Sequence, residues 1–371
     1  MTHVRTRNAA YTAQEWRLSW SRDGGRSFTT LYSATNATNP PVLESDGRGN
    51  IYLGRPDFID GDAYLYRFFA SEDYERPHIT RIPGGSGGKY AMMLDAPRRQ
   101  LYWFVHNYRH TFSRLDLEGR VLPSTKPFSL PSPAVLARPH LSLDAKGVLH
   151  AAWLTVMVPS PLPGRHHMYW DIHYMQSPDG GLTWRTMAGT PISIPVPADN
   201  SGPTDRITLD DELGIDTWLA NFLVKDGKAH FFYMAQNAPP RQHYVRYDLG
   251  SHRREIDLQP EFSGQSLFLQ AADGFFASRS NAANSTLYCV AHDASAPRLA
   301  CLASDDNGAS WYDYAVSDKV ARGYATGGCR EITPDCWIIG SFTDILSPSE
   351  SDKANTAKVY FFRMRAGMKR Q

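Results

Sequence analysis

No stretch of the chain stays apolar for the ~20 residues that a membrane-crossing helix needs, so an integral helical membrane protein is not expected. Neither sign of charge dominates. With 39 Lys and Arg against 38 Asp and Glu the formal net charge is +1, and no basic run occurs. A nucleic-acid partner, which binds through clustered cations, is therefore not expected. Helical periodicity is scarce too: apolar residues at i, i+3 and i+4 never persist over three turns. The N-terminus, Met1-Thr2-His3-Val4-Arg5, lacks the apolar core of a signal peptide, as a processed mature chain also would.

Cysteine is rare, with four residues and neither a C-x-x-C nor a Cys/His zinc spacing. No cofactor or functional metal is expected, and a structural cation is left open. The cysteines fall as two close pairs, Cys289 with Cys301 and Cys329 with Cys336, each flanking an expected turn. That placement favours a disulfide within each pair over free buried thiols. Two N-glycosylation sequons, Asn36-Ala37-Thr38 and Asn284-Ser285-Thr286, are weak signals singly. With the cysteine pairs they tilt the reading toward a secreted protein.

What the chain does contain is one motif three times. Ser21–Phe28, Ser177–Trp184 and Ser304–Trp311 all read S-x-D-x-G-x-x-aromatic. The Asp accepts hydrogen bonds from amides ahead of it, the Gly supplies a left-handed conformation, and the aromatic tucks under the turn. Each copy lies between runs rich in Val, Ile, Tyr, Phe and Trp. A second unit recurs around Asp46-Gly47-Arg48-Gly49, Asp95–Arg98, Asp144–Gly147, Lys225-Asp226-Gly227 and Pro334-Asp335, each joining two apolar runs. A divergent copy lies near Phe268–Trp311. A repeated hairpin unit every ~40–50 residues predicts an all-β, β-propeller fold with four-stranded antiparallel blades. Seven blades are favoured over six, in a single domain, 1–371. The Pro- and Asp-rich stretch Pro191–Asp211 reads as a long ordered loop.

In such blades the first–second and third–fourth turns share one face, and the two recurring motifs mark it. Function belongs on the opposite face, with the second–third loops and the starts of the innermost strands. One such loop is His106-Asn107-Tyr108-Arg109-His110. The next, Val158–Met168, carries Arg165, His166 and His167 and leads into Tyr169 and Trp170. Counting back from each turn Asp places Lys89, Arg138 and Arg330 at innermost strand starts, with Trp218, Asn221 and Asn39 in similar places. Arginine binds planar carboxylates in bidentate fashion. Histidine and tyrosine transfer protons. Trp and Tyr stack on sugar rings. The inventory suits an acidic, uronate-bearing carbohydrate and β-elimination: Arg neutralises the carboxylate, His removes the adjacent proton, and Tyr or His protonates the leaving oxygen.

Plainer roles stand beside these. His150 and His173 read as packing residues, and Arg165-His166-His167 reads equally as a solvated loop. Arg138 and Arg330 also suit structural ion pairs. A metal role for His106 and His110 is disfavoured, because the pair lies in a loop without an acidic third ligand.

The triplicated motif resembles that of Asp-box (BNR-type) propellers. Arg138–His150, followed by Trp170–Gly181, together with Gly84–Tyr90 and Trp103–Asn107, is similar to a narrower group: rhamnose–glucuronate lyases, ulvan lyases and related α-L-rhamnosidases. The resemblance is firmest over residues 84–184. It implies a catalytic proton-transfer histidine at His106 and carboxylate-neutralising arginines among Arg138, Arg165 and Arg330. It also implies an acidic polysaccharide or oligosaccharide as partner, and a secreted monomer is expected. The chain departs at Ser86, where such enzymes tend to carry a histidine. The catalytic set expected is His106, Tyr169 and Arg330. Ser86, Lys89, Tyr108, His110, Arg138, Arg165, His166, His167 and Trp218 are expected to bind substrate. A polysaccharide lyase leads. A rhamnosidase is the variant that Asp57 and Asp344 keep open, and a non-catalytic carbohydrate-binding propeller is the alternative from another class. A sialidase is disfavoured: Arg81-Ile82-Pro83 follows the first Asp box, and no Tyr/Glu nucleophile pair is placeable from sequence.

Overall fold

The computed structural model describes the chain except for residues 7–13, 36–39, 58, 107–111, 130–133, 161–163, 165, 167, 198–201, 213, 237–240, 267–273, 280–281, 283, 294–296, 321–325, 348–355 and 368–371. The fold is an all-β propeller of seven blades. Among the described residues the helices are two short 3-10 turns, Ala70–Glu72 and Asp210–Glu212. The chain forms two compact units, Met1–Thr208 and Leu209–Gln371.

The first unit holds four blades. The first has three described strands, Thr2–Thr6, Gln14–Trp20 and Thr29–Thr35. The second runs Val42–Ser45, Ile51–Pro56, Ala63–Phe68 and His78–Ile82. The third runs Tyr90–Asp95, Gln100–Val105, Phe112–Asp116 and Val121–Leu122. The fourth runs Ala134–Leu143, Leu149–Met157, Met168–Ser177 and Trp184–Arg185, with Pro191–Ile192 added at its edge. The second unit holds the other three. The fifth blade is Thr217–Lys225, Lys228–Ala235, Arg241–Asp248 and Arg253–Leu258. The sixth is Phe275–Ala277, Leu287–Asp293, Arg298–Ser304 and Tyr312–Val316. The seventh has three described strands, Thr326–Gly328, Trp337–Ser347 and Thr356–Arg365.

Gln100–Val105 shows why these residues form a blade. Its side chains alternate between faces, and both faces are buried, so the strand reads as almost unbroken apolar sequence. Tyr102 and Phe104 join Leu141, Trp153 and Met175 in a core shared with the fourth blade. Trp103 and Val105 join Tyr52, Leu65 and Ile82 on the side of the second. Trp103 and Trp153 are essentially inaccessible to solvent, and each such aromatic contributes about 2–3 kcal/mol.

The turn chemistry follows the sequence reading and adds a position to it. In the three copies of the repeated motif the Ser hydroxyl donates to the Asp and accepts from the Gly amide. The Asp also accepts from the backbone N–H and hydroxyl of Ser27, Thr183 and Ser310, one residue before the aromatic. That hydroxyl is a fifth recurrent position. The aromatic tucks under the turn at Trp184, whereas Phe28 is 36% exposed.

Three expectations are corrected. All four cysteines are free thiols. Cys289 lies opposite Leu302 and Cys301 opposite Val290, so the two alternate to opposite sheet faces and enter different cores. Cys329 donates its amide to Ile339, while Cys336 lies in the turn closed on Thr333. The two are separated by about 10 Å of strand, beyond disulfide reach. Second, Pro191–Asp211 is not a plain loop: Pro191–Ile192 extends the fourth blade, Val196–Pro197 pairs with Phe128–Ser129, and Asp205–Arg206 pairs with Met168–Ser177. Third, Arg138 and Arg330 do not start their strands. The innermost strand of the fourth blade begins at Ala134 and that of the seventh at Thr326.

Candidate functional site

Residues of the third and fourth blades converge at the second–third-loop end of the first unit. Lys89 immediately precedes the innermost strand of the third blade, and His106 immediately follows its partner strand. The two lie directly opposite: the His106 amide donates to the Lys89 carbonyl at 2.7 Å, continuing the Tyr90–Val105 register. Residues paired in this way hold their side chains on one face, about 5 Å apart at Cβ. Alternation decides which face. Tyr90 and Val105 pack toward the second blade, whereas Ala91 and Phe104 pack toward the fourth. Lys89 and His106 therefore share the fourth-blade side.

Arg138 comes to this place from the fourth blade through a defect in its strand. Pairing with Leu149–Met157 shifts between Ala137 and His140, and Arg138 sits in that bulge with φ of 46°. A bulge re-aims a side chain, and a left-handed conformation at a non-glycine residue costs on the order of 1–2 kcal/mol. Backbone strain of this kind concentrates at functional sites. The Arg138 guanidinium carbon lies 5.1 Å from the ring centroid of Tyr169, a cation–π contact. Lys89 is exposed as a whole, but the packing around its stem, then the Arg138 charge, lowers its pKa below the usual lysine value. Among the described residues no carboxylate pairs with Lys89. Two neighbouring cations, a phenol and an imidazole thus converge between two blades. Asp171, two residues beyond Tyr169, is fully buried.

Below Lys89 runs a strap, Gly84-Gly85-Ser86-Gly87-Gly88-Lys89, whose composition has a steric reason. A Cβ on Gly87 would stand 1.8 Å from the His106 carbonyl oxygen. The Gly84 amide donates to Asp62 at 2.7 Å, and the Trp103 indole donates to the Gly85 carbonyl at 2.9 Å. The Ser86 amide donates to Gly61 at 3.3 Å. Ser86 itself is buried in the strap.

The remaining expected residues divide as follows. His166 is exposed in its loop. Tyr108, His110, Arg165 and His167 lie outside the described residues, as do Asn39 and the first sequon. Trp218 is half-buried at the second position of the fifth blade's innermost strand, and Arg330 is half-buried in the seventh blade; both belong to the second unit. Arg330 occupies the arm leading to the Thr333–Cys336 turn, where its carbonyl accepts from Ser278 at 2.9 Å. That is toward the turn end of its blade, because the strand begins four residues earlier than a count from the turn implies. Asp57 is ion-paired with Arg55 at 2.6 Å, and Asp344 is buried within its strand.

Histidines expected to be structural are so. His150 bonds the Tyr174 hydroxyl at 2.6 Å, and burial lowers its pKa although Asp144 opposes the shift. His173 stacks on Trp153 with centroids 5.7 Å apart. His230 repeats the His150 arrangement in the fifth blade, bonded to the Tyr244 hydroxyl at 2.7 Å.

A cluster in the second unit went unseen in the sequence. Glu212 is fully buried and accepts from the Tyr233 hydroxyl at 2.9 Å. His243 bridges Glu212 at 2.6 Å and Asp257 at 2.9 Å. Burial disfavours the imidazolium, but those two carboxylates outweigh it and raise His243 to about 9. Tyr233 is itself inaccessible, and burial with the Glu212 charge pushes its hydroxyl far above the usual phenol range. A Tyr/Glu pair therefore exists, but its tyrosine is a locked donor and not a nucleophile.

No protein-family model and no curated protein matches the chain. Solved structures do. An ulvan lyase of polysaccharide lyase family PL25, bound to -[GlcA(1-4)Rha3S]-, superposes with a TM-score of 0.56 at 14% identity, covering 91% of this chain and 81% of that one. A second structure of a PL25 ulvan lyase gives the same TM-score, identity and coverage. The α-L-arabinofuranosidase Arb93A from Fusarium graminearum matches at a TM-score of 0.44 and 10% identity, over 95% of this chain and 89% of that one, too slight a likeness to carry an argument. At such identities the likeness to the ulvan lyase is one of fold.

Proposed function

We propose that the protein is a polysaccharide lyase that cleaves rhamnose–glucuronate linkages in an acidic polymer by β-elimination. The observation that carries this reading is the bulge-held Arg138 over Tyr169, neighbouring Lys89, which pairs with His106. Arg138 pairs with the uronate carboxylate, with Arg165 as a further candidate. Neutralising that group makes the neighbouring C5–H more acidic. His106 takes the proton, the electron pair forms the C4–C5 double bond, and the C4 oxygen leaves with a proton from Tyr169. The glucuronate-containing fragment bound by the fold neighbour is of the same chemical class. Ser86, Tyr108, His110, His166 and His167 are the further residues proposed for binding. The free thiols remove the disulfide argument for export, so an extracellular place rests on the polymer substrate, which does not enter cells intact.

Elimination is favoured over rhamnose-releasing hydrolysis because Asp57 is tied up by Arg55 and Asp344 is buried. The test is His106→Ala. The reading expects turnover to fall by at least ~100-fold while oligosaccharide binding changes less than about 3-fold. Equal loss of both would remove His106 from proton transfer.

A further inference from the structure

Lys89 stands at the end of a strap that has almost no side chains of its own to hold it in place. The strap is instead fastened by another blade. Asp62 is 4% exposed, and its Oδ1 accepts the Gly84 amide at 2.7 Å. Its other oxygen is ion-paired with Arg81, whose side chain is 64% exposed. The loop carrying Asp62 is closed on itself, the Asp57 amide donating to the Asp62 carbonyl at 2.7 Å and the Gly61 amide to the Asp57 carbonyl at 3.2 Å. The Gly61 carbonyl then receives the Ser86 amide. At the far end of the strap, Lys89 is held across from His106. A buried carboxylate that accepts a backbone amide makes one of the stronger hydrogen bonds available, and the glycines add no stiffness of their own.

We infer that Asp62 is a positioning residue, which through the Gly84–Lys89 strap sets Lys89 beside Arg138 and so tunes the site for an anionic saccharide. The inference rests on the site reading above. Asp62 touches no substrate; its effect passes through Lys89. Arg81, on the outer side of Asp62, serves the pairing but not the strap.

The test is a double-mutant cycle on the whole protein, read as the dissociation constant for a rhamnosyl-glucuronate disaccharide by calorimetry. Lys89→Met is expected to weaken binding about 10-fold, from one lost charge-assisted contact. Asp62→Asn, which loses the charge on Gly84 and Arg81, is expected to weaken it about 5-fold. The combined variant should bind like Lys89→Met alone, because the second change acts through a residue already gone. Arg81→Gln should bind like the parent. Additive losses, or an Asp62→Asn protein that binds normally, would overturn the positioning role while leaving the site intact. A Lys89→Met protein that binds normally would instead overturn the site reading. Should Asp62→Asn not fold, Asp62→Glu keeps the charge for Arg81 but displaces the oxygen from Gly84, and the same cycle applies.

Discussion

Arg138 couples strain to function, and replacing it by glycine and by alanine separates the two. In the bulge Arg138 holds φ at 46°. Glycine relieves ~1–2 kcal/mol of left-handed strain, but adds about 0.4–1 kcal/mol of unfolded-state freedom and forfeits a cation–π contact of ~0.5–1 kcal/mol with Tyr169. The terms nearly cancel, so Arg138→Gly should lie within about 1 kcal/mol of the parent in urea unfolding. Arg138→Ala loses the same contact and keeps the strain, so it should be about 1 kcal/mol less stable than the glycine variant. Both lose the guanidinium–carboxylate pair, worth ~1.5–3 kcal/mol, or about 10- to 150-fold in affinity for a uronate oligosaccharide. The assays are denaturant unfolding and calorimetric titration on the same protein. An alanine variant as stable as the glycine one would refute the strain. Undiminished uronate binding by both would refute the carboxylate role.

Further expectations follow from neighbouring features. Gly87→Ala places a methyl against the His106 carbonyl and should cost about 1–3 kcal/mol with loss of binding. Gly88→Ala next to it meets nothing within 4 Å and should be neutral in both assays; equal effects would contradict the strap geometry. His243 is raised to about 9 from an ordinary 6.5. Its stabilisation is therefore complete below the unfolded value and lost as pH rises through the folded one, a fall of at most ~3 kcal/mol. His243→Gln should flatten that fall in unfolding titrations; an unchanged pH profile would show that the imidazole is not charged in its bridge.

The blades were legible because turn chemistry is local. An Asp, a Gly and an aromatic at fixed offsets define the repeated turn whatever surrounds it, and its hydroxyl at Ser27, Thr183 and Ser310 was equally readable as a short repeat. Counting back along the strand puts Lys89 next to its start, as the structure does, and His106 was read from the loop that follows the partner strand; counting works while register is regular. The count fails at Arg330, where the innermost strand begins early, and it misses the bulge at Arg138, which arises from pairing with Leu149–Met157 and leaves no mark in the residues around it. The cysteines show the same limit. Close spacing suggested bridges, but sheet parity sends Cys289 and Cys301 to opposite faces. Glu212, Tyr233, His243 and Asp257 come from four separate segments, so only the folded blade reveals them as one cluster.

The central claim is elimination on a uronate polymer. The direct measurement is to incubate the protein with rhamnosyl-glucuronate polysaccharides such as gum arabic or ulvan, and to follow the ultraviolet absorbance of the unsaturated uronate. The account predicts a rise that Arg138→Gly abolishes. Free rhamnose without that absorbance would contradict it in favour of hydrolysis, and binding without either product would contradict it in favour of a carbohydrate-binding propeller.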